Sequence, residues 1–404
     1  MTAKKSQIPL VRFPEFTTPW EAKAIARMLE RRADPVVVKP DTSYRQIGLR
    51  SHGKGIFHKA GVTGEALGNK RVFWVQPDCF VVNIIFAWEQ AVGKTSAQEA
   101  GMIASHRFPM YGAKKCKADI DFIVRFFLRP RGKHLLGLAS PGGAGRNRTL
   151  GQKDFEKLQL TIPTLPEQRK IADFLTAVDQ RIRQLSQKKA LLVSYKKGVM
   201  QQLFSQVLRF KDDHGNDFPD WEEKTLGEVG TVVGGGTPDS AKDDYWNGDI
   251  EWFTPTEIRS KYAGGSRRKI TASGMKNCSA SILPVGTLLM TSRATIAEIS
   301  ISTIPCTTNQ GFQSIITNSE NNNEFIYYWI NNNKKMFLRR SQGSTFIEIS
   351  GKEVRKLAIS IPSLPEQTKI ANFLTALDRK IESVAQQITH TQTFKKGLLQ
   401  QMFV

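Results

Sequence analysis

Two short stretches of this 404-residue chain hold residue types that could catalyse, and both fail on spacing. Gly93-Lys94-Thr95 ends like a phosphate-binding loop, but that loop needs a further glycine where Trp88 stands, and without it the backbone cannot wrap a phosphate. Asp220, Glu222, Glu223 and Lys224 echo a metal-dependent nuclease set. They are crowded into one turn of chain, with no separate strands to converge on an ion, and they read better as the entry to a domain. No Asn-Pro-Pro-aromatic or Asp-Pro-Pro-aromatic tetrad, of the kind that holds a flipped base for amino methylation, occurs. No Gly-x-Gly follows a hydrophobic strand in a βαβ setting, and the six histidines show no metal-ligand spacing. The chain carries no catalytic constellation, so binding is the function to look for.

Charge names the kind of ligand. The formal net charge is +21, which points to a polyanionic partner. It is unevenly spread: residues 1–209 carry 36 Lys and Arg against 16 Asp and Glu, and residues 210–404 carry 22 against 21. The basic residues are interspersed with apolar ones, unlike the blocks of a basic tail. Four scattered cysteines, Cys79, Cys116, Cys278 and Cys306, include no C-x-x-C pair and suggest reduced thiols. With no run of eighteen apolar residues and no apolar leader at the N-terminus, the expected location is the cytoplasm.

The elements that must position a binding surface are announced by a duplication. Residues 160–204 and 359–403 align without a gap and share 22 identities over 45 positions. Each copy opens Leu-Pro-Glu-Gln, with proline suited to a first helical turn and glutamate to the positive end of the helix dipole. From Ile171, steps of four and three reach Leu175, Val178, Ile182, Leu185, Lys189, Leu192, Lys196, Val199 and Leu203, eight of ten apolar. The walk from Ile370 through Leu374, Leu377, Ile381 and Val384 to Met402 scores the same. A stripe sustained over about five heptads predicts a coiled-coil seam on rods roughly 60 Å long.

Between the repeated entries (Phe13-Pro14 to Trp20, and Phe218-Pro219 to Trp221) and the helices lie two segments unlike each other in sequence. Strands are expected at residues 36–38, 71–75 and 80–88, with a helix at 119–128 and a glycine-rich loop at 140–149. In the second half strands are expected at 286–291 and 299–303 and a helix at 324–337. The expected layout is a tail at 1–10, a domain at 11–160, a helix at 161–208, a second domain at 209–360 and a second helix at 361–404. The fold class is α+β: two mixed α/β domains and two long antiparallel helices forming a coiled coil, duplicated about a pseudo-two-fold.

The order of motifs then becomes recognisable. Trp221-Glu222-Glu223-Lys224, Gly235-Gly236-Thr237-Pro238, the run 245–252, Leu283-Pro284-Val285-Gly286 and Thr308-Asn309-Gln310-Gly311-Phe312 resemble a target recognition domain of type I restriction-modification specificity subunits. The Leu-Pro-Glu-Gln helices are similar to that family's conserved central and distal regions. The first half, with residues 46–51, 55–59, 101–108 and 140–150, resembles a different subtype of the same domain. The resemblance covers about residues 11–404. It implies a non-catalytic subunit that selects a bipartite, asymmetric double-stranded DNA site. It also implies two docked methyltransferase subunits and optional translocase/nuclease subunits, with S-adenosylmethionine, ATP and Mg held by those partners and no cofactor on this chain. A stand-alone DNA-binding regulator is the alternative, and co-purification with a methyltransferase discriminates the two.

Reading sequence requires side chains in the major groove, where Arg pairs with guanine and Asn or Gln with adenine, while phosphate contacts only position the protein. The first-half candidates are Arg50, His52, Lys54, Ser105, His106, Arg107, Arg146, Asn147 and Arg148. Those of the second half are Gly235, Gly236, Thr237, Arg259, Lys261, Arg267, Arg268, Arg293, Thr308, Asn309, Gln310, Ser344 and Thr345. The helices would space two half-sites about one helical turn, roughly 34–36 Å, apart. Polar positions shared by both helices, Glu167, Gln168, Lys170 and Asp179 with Glu366, Gln367, Lys369 and Asp378, are the candidates for partner binding.

Overall fold

The computed structural model describes residues 8–142, 148–341 and 347–404, so the candidates Arg146, Asn147, Ser344 and Thr345 lie outside the described residues. The chain divides into two compact units: residues up to Leu185 together with Gln387–Val404, and Ser186–Gln386. This cuts across the domain-then-helix layout. The long helices Leu165–Phe204 and Leu364–Gln401 each give one half to either unit.

In the first unit an antiparallel ribbon pairs Glu21–Ala24 with Gln159–Ile162 and brings the entry of the domain to its exit. Beyond it lie two four-stranded sheets. One runs Leu29–Arg32, Met110–Ala113, Cys79–Val82, Val92–Lys94; the other runs Gly55–Thr63, Ser43–Arg50, Ile103–Ser105, Val72–Trp74. The expected strand at 36–38 does not form. Pro35 and Pro40 bracket it and supply no amide donors, Val37 is 85% exposed, and only Val36 reaches the sheet, donating to the Val72 carbonyl. The expected strand 80–88 stops at Val82, where the Asn83 side chain accepts from the Ile85 amide and turns the chain.

The helix expected at 119–128 is Ile120–Phe127, capped by Asp119, and it buries Phe122 and Phe126 as well as Ile120, Ile123 and Phe127. The basic run after it, begun by Pro130 at the first helical position, forms a second helix, Pro130–Leu138. These aromatic side chains meet Trp20 and Phe155 in one core, closed by Ile171, Leu175 and Val178 from the first long helix and Leu398, Met402 and Phe403 from the end of the second. Full burial of a leucine such as Leu175 contributes about 2 kcal/mol.

The second unit repeats the frame with different contents. Its ribbon pairs Glu222–Thr225 with Ala358–Ile361. A five-stranded sheet follows in the order Gly230–Gly234, Gln313–Thr317, Leu288–Met290, Ile299–Ser302, Tyr262–Ala263, beside a three-stranded one of Arg268–Ile270, Trp246–Phe253 and Thr307–Thr308. The helix expected at 324–337 is broken into Asn323–Asn332 and Lys334–Arg340. The break falls in an asparagine run, where the Asn331 and Asn333 side chains bond back to the Tyr327 and Trp329 carbonyls and compete with the helix. Phe325, Tyr328 and Phe337 form the core with Val199 and Leu203 from the end of the first long helix and Ile370 and Leu374 from the second.

Each seam is apolar at the domain and carries an ion pair further along, with Leu185 and Val384 buried again beyond it. In the first unit Lys395 pairs with Asp179 at 2.6 Å; in the second Lys196 pairs with Asp378 at 2.5 Å. Lys196 and Lys395, which stand at matching interruptions of the two apolar stripes, thus meet the duplicated aspartates. The architecture is α+β, two mixed α/β domains with two long antiparallel helices.

Candidate nucleic-acid interface

In the first unit three candidate segments are tied to one loop, residues 83–90. Arg50 ends a strand, its guanidinium 4.9 Å from the Phe57 ring centre, and His52 and Lys54 occupy the tight turn that follows. His52 has a left-handed backbone (φ 60°), and its amide donates to Glu89, while Ser51 Oγ donates to the Glu89 carboxylate. Ser105, His106 and Arg107 form the turn into Met110–Ala113; the Ser105 hydroxyl accepts from the Arg107 amide, and the Arg107 carbonyl accepts from Ile84. Arg148 stacks on Trp88 at 5.7 Å, and two residues on Leu150 donates to Ile84. Arg50, His52, Lys54, His106, Arg107 and Arg148 are all exposed. They form a basic rim on a loop held in turn by Gln90, whose amide donates to the Phe127 carbonyl.

In the second unit two motifs far apart in sequence meet. The Gly236 amide donates to the Thr308 carbonyl at 2.9 Å, and Thr237 Oγ1 bonds Gln310. Gly235 and Gly236 are there because nothing larger fits: a Cβ on Gly235 would lie 1.9 Å from the Asn309 carbonyl oxygen, and one on Gly236 2.4 Å from the Ala280 nitrogen. Thr308 is buried. These three shape the surface and leave Thr237 and Gln310 exposed on it. Asn309 turns the chain by accepting from the Gly311 amide. Arg293 pairs with Glu348 at 2.9 Å next to this turn, since Ser292 donates to Gly311.

Arg259 and Arg267 are exposed on loops of the same unit, ordered by the Thr256 carbonyl and by the Glu257 carboxylate on the Arg267 amide. Arg268 lies 3.6 Å over Trp246, which packs edge-on against Trp252. Both tryptophans are core residues, so Arg268 roofs that core.

Lys261 has to be withdrawn from the surface. Its ammonium sits 3.0 Å from Glu324 and bonds Tyr328 and Thr375, with only 11% of the side chain exposed. Burial pulls its pKa below the ordinary lysine value against the pull of Glu324. Burial pushes Glu324 up, but bonds from Thr375, Tyr262 and Lys261 outweigh it and hold the carboxyl low. This cluster joins the domain to the long helix and has no free donor for a nucleic acid.

The shared helix positions also need correcting. Glu167, Gln168, Glu366 and Gln367 are at most 2% exposed and cannot meet a partner. Glu167 accepts two bonds of 2.7 Å from Arg12 and one from the Trp20 indole; Glu366 accepts from Arg209 and the Trp221 indole. Gln168 accepts from the Asp119 amide and donates to Pro163, and Gln367 repeats this with Asn322 and Pro362. Lys170 pairs with Glu15 and Lys369 with Asp213. Asp179 is held by Arg125 and Lys395, Asp378 by Lys196 and Tyr328. These are the clamps that fasten each domain to the helices.

Sequence reading missed the clamp arginines because it matched Phe13-Pro14 with Phe218-Pro219. The structural counterpart of Arg12-Phe13 is Arg209-Phe210: Phe13 packs edge-on against Phe174 and Phe210 against Phe373. The second entry is longer by a turn in which Asp212 accepts from the His214 and Asn216 amides. The repeated Arg-Phe pair was the available signal.

The phosphate-loop echo is settled by contacts. Lys94 is held between Asp78 and Asp121, and Thr95 is buried with its hydroxyl donating to the Gln76 carbonyl. Among the described residues no group of three or more His, Cys, Asp or Glu could hold a metal, and no helix is long and apolar enough to cross a membrane.

Known proteins place this frame. The family model for the type I restriction modification DNA specificity domain matches twice, at residues 76–193 and 219–390. The MjaIX specificity subunit of Methanocaldococcus jannaschii is 37% identical over 184 residues, covering 44% of this chain and 43% of that protein. The EcoR124I/EcoR124II specificity subunit of Escherichia coli is 26% identical over 188 residues, 45% of each. The match thus spans under half the length of these curated relatives. Whole-chain likeness comes from solved structures, and at such identity it concerns the fold. The HsdS subunit from Thermoanaerobacter tengcongensis has a TM-score of 0.57 at 17% identity, covering 97% of this chain and 98% of that one. The type I restriction-modification S subunit from M. genitalium has 0.56 at 15%, covering 98% and 99%. With two matched segments spanning most of its length, the chain belongs to the family of type I restriction modification DNA specificity domains.

Proposed function

We propose that this chain is the DNA-specificity subunit of a type I restriction-modification complex in the cytoplasm. It would select a bipartite, asymmetric double-stranded DNA site and catalyse nothing itself. Two methyltransferase subunits would dock on it, bringing S-adenosylmethionine and the methylation chemistry. Translocase/nuclease subunits using ATP and Mg would be optional additions. The observation that carries this reading is one duplicated frame, the Arg–Glu–Trp clamp on matching helices, holding two domains whose outer surfaces differ. A common frame suits identical partners, and unlike domains suit unlike half-sites.

In the first domain Arg50, His52, Lys54, His106, Arg107 and Arg148 would meet DNA. In the second Thr237, Arg259, Arg267 and Gln310 would do so, with Arg293 placing the turn beside them. The helices would set the half-site gap. Methylome sequencing of cells with and without the gene tests the reading, with a bipartite motif disappearing on deletion. Exchange of residues 212–350 for another recognition segment should alter one half-site alone. If both half-sites changed, the domains would not read independently. Four residues inserted within 184–190 should lengthen the gap, and an unchanged gap would remove the helices' spacing role.

A further inference from the structure

Two adjoining clefts in the first unit open on either side of Cys116, at the start of the helix Leu165–Phe204, with volumes of about 460 and 530 Å³. Cys116 and Leu165 line both. Four exposed basic side chains line them, none with a carboxylate of the described residues within ion-pairing distance: Arg27, Lys115, Lys117 and Arg169. The two carboxylates present are engaged, Asp78 with Lys94 and Asp119 as the cap of Ile120–Phe127. None of the side chains that tie the Arg50, Arg107 and Arg148 turns together takes part.

The second unit has the same groove, bounded by Pro362, Leu364 and Gln367 where the first has Pro163, Leu165 and Gln168. Its charge is reversed. Counting outward from the matched ribbons and helix caps, Arg27 corresponds to Glu228 and Lys117 to Glu320, while Lys115 and Arg169 become Asn318 and Thr368. Asp220 and Glu222 line the second groove with Glu320, against one cation, Lys224, which pairs with Glu222. One protein surface cannot complement both grooves by charge, so the basic one is not half of a pair of identical docking sites.

We infer that the cleft of Arg27, Lys115, Lys117 and Arg169 binds the phosphodiester backbone of DNA, in the first half only, without regard to base sequence. This rests on the DNA-binding role proposed above and adds a site separate from the recognition surfaces. Unpaired lysines and arginines with no aromatic platform, beside amides already bonded (Gln76 to Asp34, Gln168 to the Asp119 amide and Pro163 carbonyl), suit phosphates rather than bases. It also gives a use to part of the surplus that leaves residues 1–209 at net +20 and residues 210–404 at +1.

Cys116 is exposed, whereas Cys79 and Cys306 are buried and Cys278 is half-buried in the other unit, so alkylation mapped by mass spectrometry reads the cleft directly. The full chain, alone or in the complex that purifies with it, is treated with N-ethylmaleimide with and without a duplex of unrelated sequence. Affinities for that duplex and for the methylated motif are measured against salt. Each phosphate contact contributes about 0.9 to the slope of log affinity on log salt, so R27Q/K115Q/K117Q/R169Q should lower the slope by about 3–4 for both DNAs. The specific-to-nonspecific ratio should stay unchanged, and the duplex should protect Cys116 several-fold in the native protein.

K117E, which copies the second unit at one position, should lower the slope by about 1 if the quadruple variant does not fold. No protection, or a native slope in a folded variant, overturns the inference while sequence-specific binding still stands. Equal protection by inorganic pyrophosphate overturns it in favour of a small-anion site. Loss of methyltransferase co-purification at a native slope overturns it in favour of protein docking. Absence of any sequence preference in the native protein would instead sink the DNA-specificity reading itself.

Discussion

Buried polar contacts at the foot of the two domains are the same, and surface charges a few residues away are opposite. Arg12, Trp20 and Glu167 repeat as Arg209, Trp221 and Glu366, and Gln168 repeats as Gln367. Phe122 on Phe403 repeats as Phe325 on Phe204, with ring centres 5.1 and 5.5 Å apart. Yet Arg27 and Lys117 stand where the second half has Glu228 and Glu320. A carboxylate buried against a guanidinium and an indole cannot drift without leaving an unpaired charge inside, so that set changes all together or not at all. An exposed lysine has no such tie. The duplicated frame is what burial has frozen, and the differences are what solvent permits.

Breaking the frame should have the largest effect and should hit both halves alike. Glu167→Ala or Glu366→Ala strands a clamp arginine with its two guanidinium donors and one indole donor. Each should cost about 3 kcal/mol. Thermal unfolding would show it, with equal losses expected; a loss under 1 kcal/mol at either site would mean the clamp is ornamental there.

The next effect should separate the halves. Tyr328 occupies in the second the place that Arg125 holds in the first: Arg125 bonds Asp179 and Thr176, Tyr328 bonds Asp378 and Thr375. The second half brings its cation from elsewhere, as Lys261. Lys261→Met should cost about 2 kcal/mol by leaving Glu324 short of its partner. The pH dependence has a definite sign. Glu324 is held below its ordinary value, so the stability it lends is complete above about pH 4.3 and is lost as pH falls through the folded value. In the Lys261→Met protein the acid limb of a denaturation-against-pH curve should move upward. An unmoved limb would show that Thr375 and Tyr262 suffice.

Much of the frame was legible in sequence because the helices are long, periodic and duplicated. The helix after Asp119 and its apolar face follow from residue types whose local rules are strong, whereas the meeting of Gly235–Thr237 with Thr308–Gln310 is a long-range contact that only the fold reveals. What stayed hidden depended on tertiary placement. Nothing local distinguishes Glu167 the clamp from an exposed helix glutamate, because both belong in a first turn. Lys261 resembled any loop lysine until Glu324, 63 residues on, was placed beside it. The valines at 36–38 carry strong strand propensity, but the flanking prolines withhold donors and the strand is not made.

The charge contrast can be sharpened by giving the second half what the first has. Glu320→Lys with Thr368→Arg removes one carboxylate from the second groove and adds two cations. If that groove tracks DNA as the first does, the salt slope should rise by about 2 and affinity for unrelated duplex about tenfold. Binding measured at several salt concentrations decides it. An unchanged slope would mean the second groove lies away from the duplex, and that the two halves differ in what they face as well as in charge.

The smallest effect concerns Arg268. Its guanidinium over Trp246 at 3.6 Å and Trp252 at 5.5 Å is a surface cation–π contact, worth about 0.5–1 kcal/mol. Arg268→Met keeps most of the apolar cover and removes the charge. If Arg268 only roofs the tryptophan core, the variant should lose that small stability and bind its target with native affinity and native base preference. If Arg268 also reads or holds DNA, affinity should fall by more than the stability change explains. A uniform fall across sequences would make it a phosphate contact, and a relaxed preference at one base pair would make it a reader. The first domain has a matching case in Arg148 over Trp88 at 5.7 Å, beside the basic rim instead of a closed core. Arg148→Met should therefore cost binding more than stability, the reverse order from Arg268. Both variants losing binding alike would show that an arginine stacked on tryptophan serves the same purpose in either half, despite the unlike sheets beneath it.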